Sequence, residues 1–563
     1  VKKNGFRFWG VRMFDEAQTA AERRTNRSSR RRLRRRRQRI EWLQEEFKNE
    51  IEKQDKNFFQ RLNDSFYKIE DKRLQNKYTF FDDNYTDKDY FEKYPTIYHL
   101  RKALLEKEEK ADIRELYLAI HHIIKYRGHF LNEGETFNPS DSEIVREIFE
   151  NFNDELKEYA NQYEDDEEYF QIIDIEKHNF YNTLQNIMLT KGSKSDRENQ
   201  LRELMGVEKK TLANELLIKL LIYGKTNPKN FAFVKEENYQ TSEIKLDDEE
   251  IQEKITENKK TIRELSRIFD YVDNIKLITD YYYLLDLLGV NDETKKCNES
   301  ISNAMVNTYD KHQKDLKELK RVIKTYLPLA KYKECFKEYN DANYSKYVGS
   351  VSSNGEIKRF GHCSKEKFEE YIKKLLAEIK DVEAQESVNR IIEKIDNGDF
   401  LPKQNSGQNT TIPMQLNLYE LRIILNKQAK YHPFLLEKEN GLTRIERIVS
   451  IFEYHIPYYV GPLSNANNNQ FSWLERKPEP IRPWNFNEVI NIDASATNFI
   501  KRMQNKCTYL QGPTDYCLPK MSLLFSEYNC LQYLNKLRIG GSLIDKNAKE
   551  KIFNDFFLVY QNP

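Results

Sequence analysis

The feature that most constrains the fold is a run of arginines in residues 23–39, where eleven of seventeen positions are Arg. Good helix formers without Gly or Pro follow in residues 40–47, so we predict one continuous helix. At about 100° per residue, the arginines point in nearly every direction around its axis. Like charges four residues apart destabilise an isolated helix, so this segment needs anions on more than one side. Leu33, Ile40 and Phe47, spaced seven apart, predict a narrow apolar stripe that docks on protein.

The choice of arginine indicates which anion is bound. Arg is a planar, permanently charged fork of donors that matches phosphate oxygens better than Lys does. A solvated charged face would mix in Glu and Lys, and a nuclear-localisation or heparin-binding patch usually covers five to eight residues. We therefore predict nucleic-acid binding. Arginine alone does not choose between RNA and DNA, because phosphate contacts position a protein without specifying sequence.

Composition sets the class of protein. With 563 residues, 39% hydrophobic and 33% charged, the chain is predicted to be soluble, mostly helical and divided into three or four domains. It contains no apolar run of about 18 residues and no signal peptide, which predicts a protein that is neither membrane-spanning nor secreted. Residues 1–39 carry fifteen Lys/Arg and three Asp/Glu, a net +12, so the remainder carries −11. This segregation predicts one basic channel for a polyanion.

Catalytic and metal-binding signatures are missing from the sequence. There is no phosphate-binding G-x-x-x-x-G-K-[ST] loop, H-E-x-x-H or G-x-S-x-G, and the six cysteines are scattered without C-x-x-C spacing. His121 and His122 are adjacent, so on a helix they point about 100° apart and cannot chelate one metal. The acidic runs 164–168 and 247–250 lack the spacing of a calcium loop and predict solvated faces. We predict a chain that binds and does not cut, with no catalytic residue, metal or cofactor.

Local signals place several helix ends and faces. Thr96 and Asp112 are predicted N-caps, and Gly128 is the predicted C-cap of the helix that Asp112 begins. Residues 6–14 alternate like a strand and are interpreted as the end of a domain that starts earlier. Two helical faces are predicted from apolar spacing, and they comprise Leu316, Leu319, Val322, Ile323 and Tyr326, and Leu418, Leu421, Leu425 and Gln428.

Several motifs occur together in a fixed order. After the arginine run come Tyr-Pro-Thr-Ile-Tyr-His-Leu-Arg-Lys at 94–102 and Ile-Lys-Tyr-Arg-Gly-His-Phe-Leu at 124–131. Ile-Pro-Tyr-Tyr-Val-Gly-Pro-Leu at 456–463 and Pro-Trp-Asn-Phe at 483–486 follow. In this combination the chain resembles the type II CRISPR effector, an RNA-guided DNA endonuclease. The resemblance extends over essentially the whole chain and is weakest in the acidic region 138–300. It implies an all-α, multi-domain recognition lobe with a long arginine-rich bridge helix.

The resemblance also implies a division of the chain. Residues 1–22 would be the severed end of the split RNase-H-like nuclease domain, and 23–54 the bridge helix. Residues 55–137 and 301–504 would be two parts of the first recognition domain, with 138–300 as an inserted helical domain and 505–563 as the truncated beginning of a third region. The nuclease active sites would lie outside this sequence, and Mg²⁺ is expected only there.

Two sets of RNA contacts are implied residue by residue. The guide-RNA seed would be bound by Arg24, Arg27, Arg31, Arg32, Arg35, Arg36 and Arg39. The repeat:anti-repeat RNA would be bound by His122, Lys125, Arg127, Gly128, Tyr309, His312, Gln404, Ile456, Tyr458, Lys520 and Phe525. No catalytic residue and no metal site is expected in this sequence.

The expected partners follow from the same resemblance. They are guide RNA, either crRNA:tracrRNA or a single guide, and the target DNA strand as a heteroduplex, in a bacterial cytoplasm and in antiviral defence. A phage-encoded protein inhibitor is kept as a third candidate partner, and no membrane is expected. Two alternatives stay open at this point. One is a structural RNA-binding protein of the ribosome-associated type with a disordered arginine-rich arm, and the other is an autonomous metal-dependent nuclease.

Overall fold

The computed structural model describes the chain in segments. These are residues 21–65, 80–81, 84–128, 143–162, 170–190, 193–208, 211–230, 241–246, 251–262, 266–289, 300–353, 356–404, 412–455, 473–503 and 523–558. The chain divides into two compact units, Val1–Glu453 and Tyr454–Pro563. No helix in the described segments is long and apolar enough to cross a membrane. The strand-like residues 6–14 and the acidic runs 164–168 and 247–250 lie outside the described residues.

The predicted all-α fold class is confirmed. In the first unit the helices are α1 Ala21–Gln54, α2 Phe58–Asn63, α3 Asp87–Lys93, α4 Ile97–Glu106, α5 Ile113–Lys125, α6 Glu143–Gln162, α7 Phe180–Leu189, α8 Lys194–Leu204, α9 Leu212–Tyr223, α10 Ile251–Thr261, α11 Val272–Leu288, α12 Ile301–Tyr326, α13 Leu329–Phe336, α14 Tyr344–Val348, α15 Lys365–Ala377, α16 Gln385–Asp396, α17 Met414–Ala429 and α18 Arg444–Glu453. Short 3₁₀ turns lie at Pro228–Asn230, Ile268–Tyr271 and Pro433–Leu436.

The strands that the structure describes form two-stranded antiparallel ribbons. In the first unit β1 Lys225–Thr226 pairs with β2 Ile244–Lys245, β3 Ser350–Ser353 with β4 Glu356–Arg359, and β5 Lys438–Glu439 with β6 Leu442–Thr443. In the second unit β7 Glu475–Arg476 pairs with β8 Ile490–Asn491, and β9 Arg538–Ile539 with β10 Ser542–Leu543. The helices of that unit are α19 Phe486–Val489, α20 Ile492–Met503, α21 Leu523–Lys536 and α22 Lys546–Ile552, followed by a π-helical turn Phe553–Leu558.

The predicted continuous helix is confirmed, since α1 runs unbroken from the arginine run to Gln54. Its predicted apolar stripe is wrong at one end, because the Leu33 side chain is 58% exposed. The buried face instead follows a spacing of four, with Leu43, Phe47 and Ile51 all fully buried. A spacing of four keeps side chains on one face of a straight helix. Among the described side chains, the apolar anchor of α1 therefore lies in its C-terminal half.

The anchor of α1 is an aromatic contact with two other elements. The Phe47 ring lies edge-on to Tyr117 of α5 and to Phe434, with centroid distances of 5.6 Å in both cases. Trp42 is also buried. Each such side chain stabilises the fold by about 2 kcal/mol relative to exposure, so four apolar side chains suffice to fix the direction of the helix.

The helix ends around α5 test three predictions. Asp112 is the N-cap of α5, and its carboxylate accepts a hydrogen bond from the Arg114 N–H at 2.8 Å. Thr96 is the N-cap of α4 by position, although its hydroxyl pairs with His99 Nδ1 at 2.8 Å and caps no backbone N–H. The Gly128 prediction is wrong, because α5 ends at Lys125 with Tyr126 as C-cap.

Apolar clusters divide the first unit along the sequence. One cluster joins buried side chains between Val145 and Leu285, and another joins those between Leu316 and Leu401. The predicted faces on α12 and α17 are mostly buried, with Leu319, Val322 and Ile323 at or near zero exposure and Leu421 and Leu425 likewise. The domain boundaries drawn from the sequence stay predictions.

Candidate nucleic-acid interface

The N-terminal half of α1 presents a cationic surface, in which Arg37 pairs with Glu41 of the same helix. Residues 23–40 contain no acidic side chain. Arg27 and Arg32 are exposed, whereas Arg31, Arg35 and Arg36 are half-buried. These predicted seed-binding side chains all extend from residues 23–39 of α1, which we call the rod. They differ in how far they are exposed to solvent. Arg24 also lies on α1, but its side chain is outside the described part of the structure.

The rod meets the body of the first unit at Arg39 and Arg127. Both side chains are buried, with 9% and 8% of their surface exposed. Burial, together with the charges of Arg36 and Arg35, lowers the pKa of Arg39 to about 10. Burial, followed by the charge of Arg39, lowers the pKa of Arg127 to about 9. Burial is the larger cause of both lowered pKa values, and the charge of Arg39 adds to the shift of Arg127, so two guanidinium groups lie near each other in a buried part of the unit.

Hydrogen bonding at this junction is incomplete. Arg127 Nη1 donates to the carbonyl oxygen of Phe452 at 2.5 Å, which ties the guanidinium to the end of α18. Arg39 Nε is buried and has no hydrogen-bond partner within the described segments. An unsatisfied buried donor on a charged group costs free energy. Arg39 is therefore held in the junction at a cost to the stability of the free chain.

Tyr126 links α1 to the C-terminus of α5. The Arg36 guanidinium lies 5.5 Å from the centroid of its ring, and Lys125 Nζ lies 5.4 Å from it. Both distances are within the range of a cation–π attraction. The predicted site residue Lys125 thus joins the basic surface of α1 rather than serving only the end of its own helix.

Gly128 is required for close packing of two backbones. Its φ is +96°, and a Cβ atom there would lie 2.3 Å from the carbonyl oxygen of Ile412. Asn417 Nδ2 donates to the Arg127 carbonyl at 3.2 Å beside it. The residue fixes the path of the chain next to Arg127, so close packing accounts for a glycine at this position.

His122 is half-buried. Its Nδ1 lies 3.2 Å from Arg101 Nη1, and its ring packs edge-on against Tyr98 at 5.2 Å. Burial, and then the charge of Arg101, keep the pKa of His122 well below its usual value, so the ring is neutral. A neutral imidazole can accept or donate a hydrogen bond, but it adds no charge to the basic surface.

A second group of predicted residues lies together around one cavity. Tyr309, His312 and Gln404 line a cleft of about 550 Å³. His312 Nδ1 is 2.8 Å from the Pro402 carbonyl, and its Nε2 is 3.0 Å from the Tyr344 hydroxyl. Both ring nitrogens are therefore already engaged, which orients the imidazole as part of the wall.

Sequence reasoning missed two residues of the same cavity, His362 and Lys403. Lys403 Nζ donates to the Tyr347 carbonyl at 2.7 Å and lies over the Tyr347 ring at 3.7 Å. His362 packs on Gly349, where any Cβ would lie 2.4 Å from the imidazole ring. The adjacent positions of Lys403 and Gln404 were a signal, but nothing in the sequence brought His362 toward them.

The remaining predicted residues are not brought into this surface by the described structure. Ile456, Tyr458 and Lys520 lie outside the described residues. Phe525 is on α21 in the second unit and is half-buried there. Within the described segments, no group of three or more His, Cys, Asp or Glu side chains could hold a metal ion.

Comparison with known proteins identifies the family. The family model described as the bridge helix of CRISPR-associated endonuclease Cas9 matches residues 23–55, and the model described as its REC lobe matches residues 147–562. The CRISPR-associated endonuclease Cas9 of Listeria innocua serovar 6a is 36% identical over 567 residues, covering 99% of this chain and 39% of the relative. That of Streptococcus mutans serotype c is 34% identical over 559 residues, covering 98% and 38%. The chain spans about two fifths of the length of these curated relatives, and it belongs to the CRISPR-associated endonuclease Cas9 family, of which it contains the bridge helix and REC-lobe sequence.

Proposed function

We propose that the chain binds guide RNA along the arginine half of α1 and holds the guide–target heteroduplex in the recognition lobe of an RNA-guided DNA endonuclease. The observation that carries the proposal is the arginine half of α1. It has no acidic residue from 23 to 40. Near its C-terminal end, Arg39 and Arg127 are buried. Residues 23–39 span roughly 25 Å of helix. This length can follow a seed of about 8–12 nucleotides in A-form geometry.

The mechanism is pre-organisation of the guide. Phosphates held by the rod keep the seed backbone in the geometry of a duplex, so that pairing with the target strand costs less ordering entropy. Sequence is then read by base pairing, and the protein contributes shape and charge. The cavity around His312 and Gln404 is proposed to contact the repeat:anti-repeat RNA. The anchored α1 argues against a ribosome-associated protein with a disordered arm, because that alternative has no docked helix.

The proposal includes no cleavage by this chain. We propose that strand cleavage belongs to parts of the longer relatives that this chain does not match, and that Mg²⁺ acts there. Incubation of the purified chain with guide RNA, target DNA and Mg²⁺ should leave the DNA intact. A protein inhibitor that docks on this lobe stays a prediction, as does service in antiviral defence.

The test is the salt dependence of RNA binding. A fluorescent single-guide RNA is titrated with the chain at several KCl concentrations, and log affinity is plotted against log salt. If seven arginines each neutralise one phosphate, the slope should be about −5 to −6. A slope near −1, or equal affinity for a scrambled RNA of the same length, would contradict the proposal.

Matched variants locate the contact on α1. Arg27→Gln with Arg32→Gln should make the slope less steep by about 1.5 to 2. Lys48→Gln with Lys53→Gln removes two exposed cations from the other half of α1, where they face Glu52 at 3.9 Å and Glu50 at 2.6 Å. These two changes should leave the slope unchanged. If the arginine pair and the lysine pair reduced the slope equally, RNA would be attracted by the overall charge of the chain rather than bound to the rod.

A further inference from the structure

A buried polar network joins four helices behind the Arg39–Arg127 junction. Its centre is Arg101 of α4, which is 1% exposed. Arg101 Nη2 donates to Glu420 Oε2 at 2.5 Å and to Asn417 Oδ1 at 2.8 Å, both on α17. Its Nη1 lies 3.2 Å from His122 Nδ1 on α5. The guanidinium thus has partners on three sides and no access to solvent.

The network reaches the RNA-facing surface through Asn417. The side chain of Asn417 has its oxygen fixed by Arg101, which leaves its amide nitrogen pointing at the Arg127 carbonyl, 3.2 Å away. Arg127 follows the end of α5, where no helical hydrogen bond holds its carbonyl. The next residue is Gly128, which touches Ile412. One hydrogen bond from Asn417 therefore fixes the backbone from which the Arg127 side chain extends.

The other end of the network fixes α12. Glu420 accepts hydrogen bonds from the Ser302 backbone N–H at 2.9 Å and from its hydroxyl at 2.6 Å. Glu420 and Ser302 are buried, with 1% and 0% exposure. A buried ion pair is a weak source of stability, because desolvation offsets most of the attraction. What such a network supplies is a single geometry for its members.

We infer that Asn417 is a positioning residue for RNA binding: held by Arg101, its amide fixes the backbone of Arg127 and with it the position of the Arg127 guanidinium. The inference rests on the proposed function, in which Arg127 contacts RNA. It concerns a residue that touches no RNA and acts through another. Both α5 and α17 also bury apolar side chains, among them Ile120, Ile124, Leu421 and Leu425, so variants at Asn417 are expected to fold.

The experiment is a double-mutant cycle with the full chain and a single-guide RNA. Arg127→Ala should weaken binding about tenfold, the equivalent of one charged hydrogen bond, and make the salt slope less steep by about one. Asn417→Asp keeps the acceptor for Arg101 but replaces the donor to Arg127 by an oxygen that repels its carbonyl. It should weaken binding three- to tenfold. In the Arg127→Ala background it should have no further effect, because non-additivity marks residues that act as one unit.

Control variants separate positioning from folding. Asn417→Ala is measured in parallel. It removes the amide donor to the Arg127 carbonyl without adding a charge, so it provides a second variant if Asn417→Asp unfolds the chain. Ser302→Ala removes the hydroxyl donor to Glu420 and keeps the backbone donor, and should lower the melting temperature with the salt slope unchanged. If Asn417→Asp weakened RNA binding equally in the wild-type and Arg127→Ala backgrounds, the inference would be overturned while the proposed function would stand. A wild-type chain that ignores the guide RNA would overturn the proposed function, and the inference with it.

Discussion

Glu46 of α1 and Arg447 of α18 form an ion pair across the interface that anchors the arginine helix, with Oε2 and Nη2 2.8 Å apart. Arg447 is 2% exposed, and its Nη1 also pairs with Glu439. Arg444 lies 3.5 Å from the same Glu46 oxygen and donates to the Glu46 carbonyl at 3.1 Å. The charge that α1 uses to dock on protein is thus acidic, whereas the charge on its free half is basic.

Loss of the Glu46 charge should loosen this anchor. Glu46→Gln removes a charged partner of the buried Arg447, and should lower the free energy of unfolding by ~3 kcal/mol. Glu41→Gln is the matched control on the same helix, because Glu41 pairs with an exposed Arg37 at 2.9 Å. It should change stability by less than ~1 kcal/mol. Urea denaturation measures both, and equal effects would contradict the anchoring role.

Removal of Arg39 should stabilise the free chain and harm RNA binding. Its buried charge is poorly compensated, as the pKa lowered to about 10 shows. Arg39→Met keeps a shorter, unbranched side chain without the charge, and should raise the free energy of unfolding by ~1–3 kcal/mol while weakening guide-RNA binding at least tenfold. Thermal melting without RNA and RNA titration measure the two effects. A lower melting temperature in Arg39→Met would show that Arg39 is a structural residue.

Local signals in the sequence predicted the fold class and much of the arginine helix. The absence of Gly and Pro after residue 39 was enough to extend α1 through Phe47, and the short polar side chain of Asp112 was enough to begin α5. These features depend on neighbours within one turn of helix. The predicted apolar stripe failed at Leu33 because a spacing of seven assumes a partner along the whole helix, and α1 has its buried face only beyond residue 39.

Contacts between distant segments could not be predicted. Arg101 and Glu420 are 319 residues apart in the chain, and no local pattern connects them. Gly128 was interpreted as a C-cap from its distance to the helix end, whereas its positive φ serves an approach to Ile412. His362 enters the cavity lined by His312 and Gln404 through its packing on Gly349. Each of these depends on which backbones come together, a property of the tertiary fold.

A methyl group at Gly128 should displace the Arg127 segment. Gly128→Ala would strain a backbone with φ of +96° and place Cβ 2.3 Å from the Ile412 carbonyl oxygen. We expect a loss of about 3 kcal/mol or more of stability, from strain and overlap together. Gly206→Ala is the control, since its φ is +63° and nothing lies within 4 Å of the added Cβ; it should cost only about 1–2 kcal/mol. Similar melting temperatures for the two variants would contradict the packing role.

Acid should destabilise the chain through His121. Its ring stacks on Tyr117 at 5.7 Å, and burial, followed by the charge of Lys125, lowers its pKa from 6.5 to about 4. A depressed pKa in the folded state means that the stability from neutral His121 is fully present above pH 6.5. It is lost as the pH falls from there toward 4, by about 2 kcal/mol at pH 5. His121→Gln has no proton to bind in this range, so its urea midpoint should fall less between pH 7 and 5 than that of the wild type. His178→Asn, at an exposed position, should keep the wild-type dependence, and an unchanged dependence in His121→Gln would show that His121 is not the group that titrates.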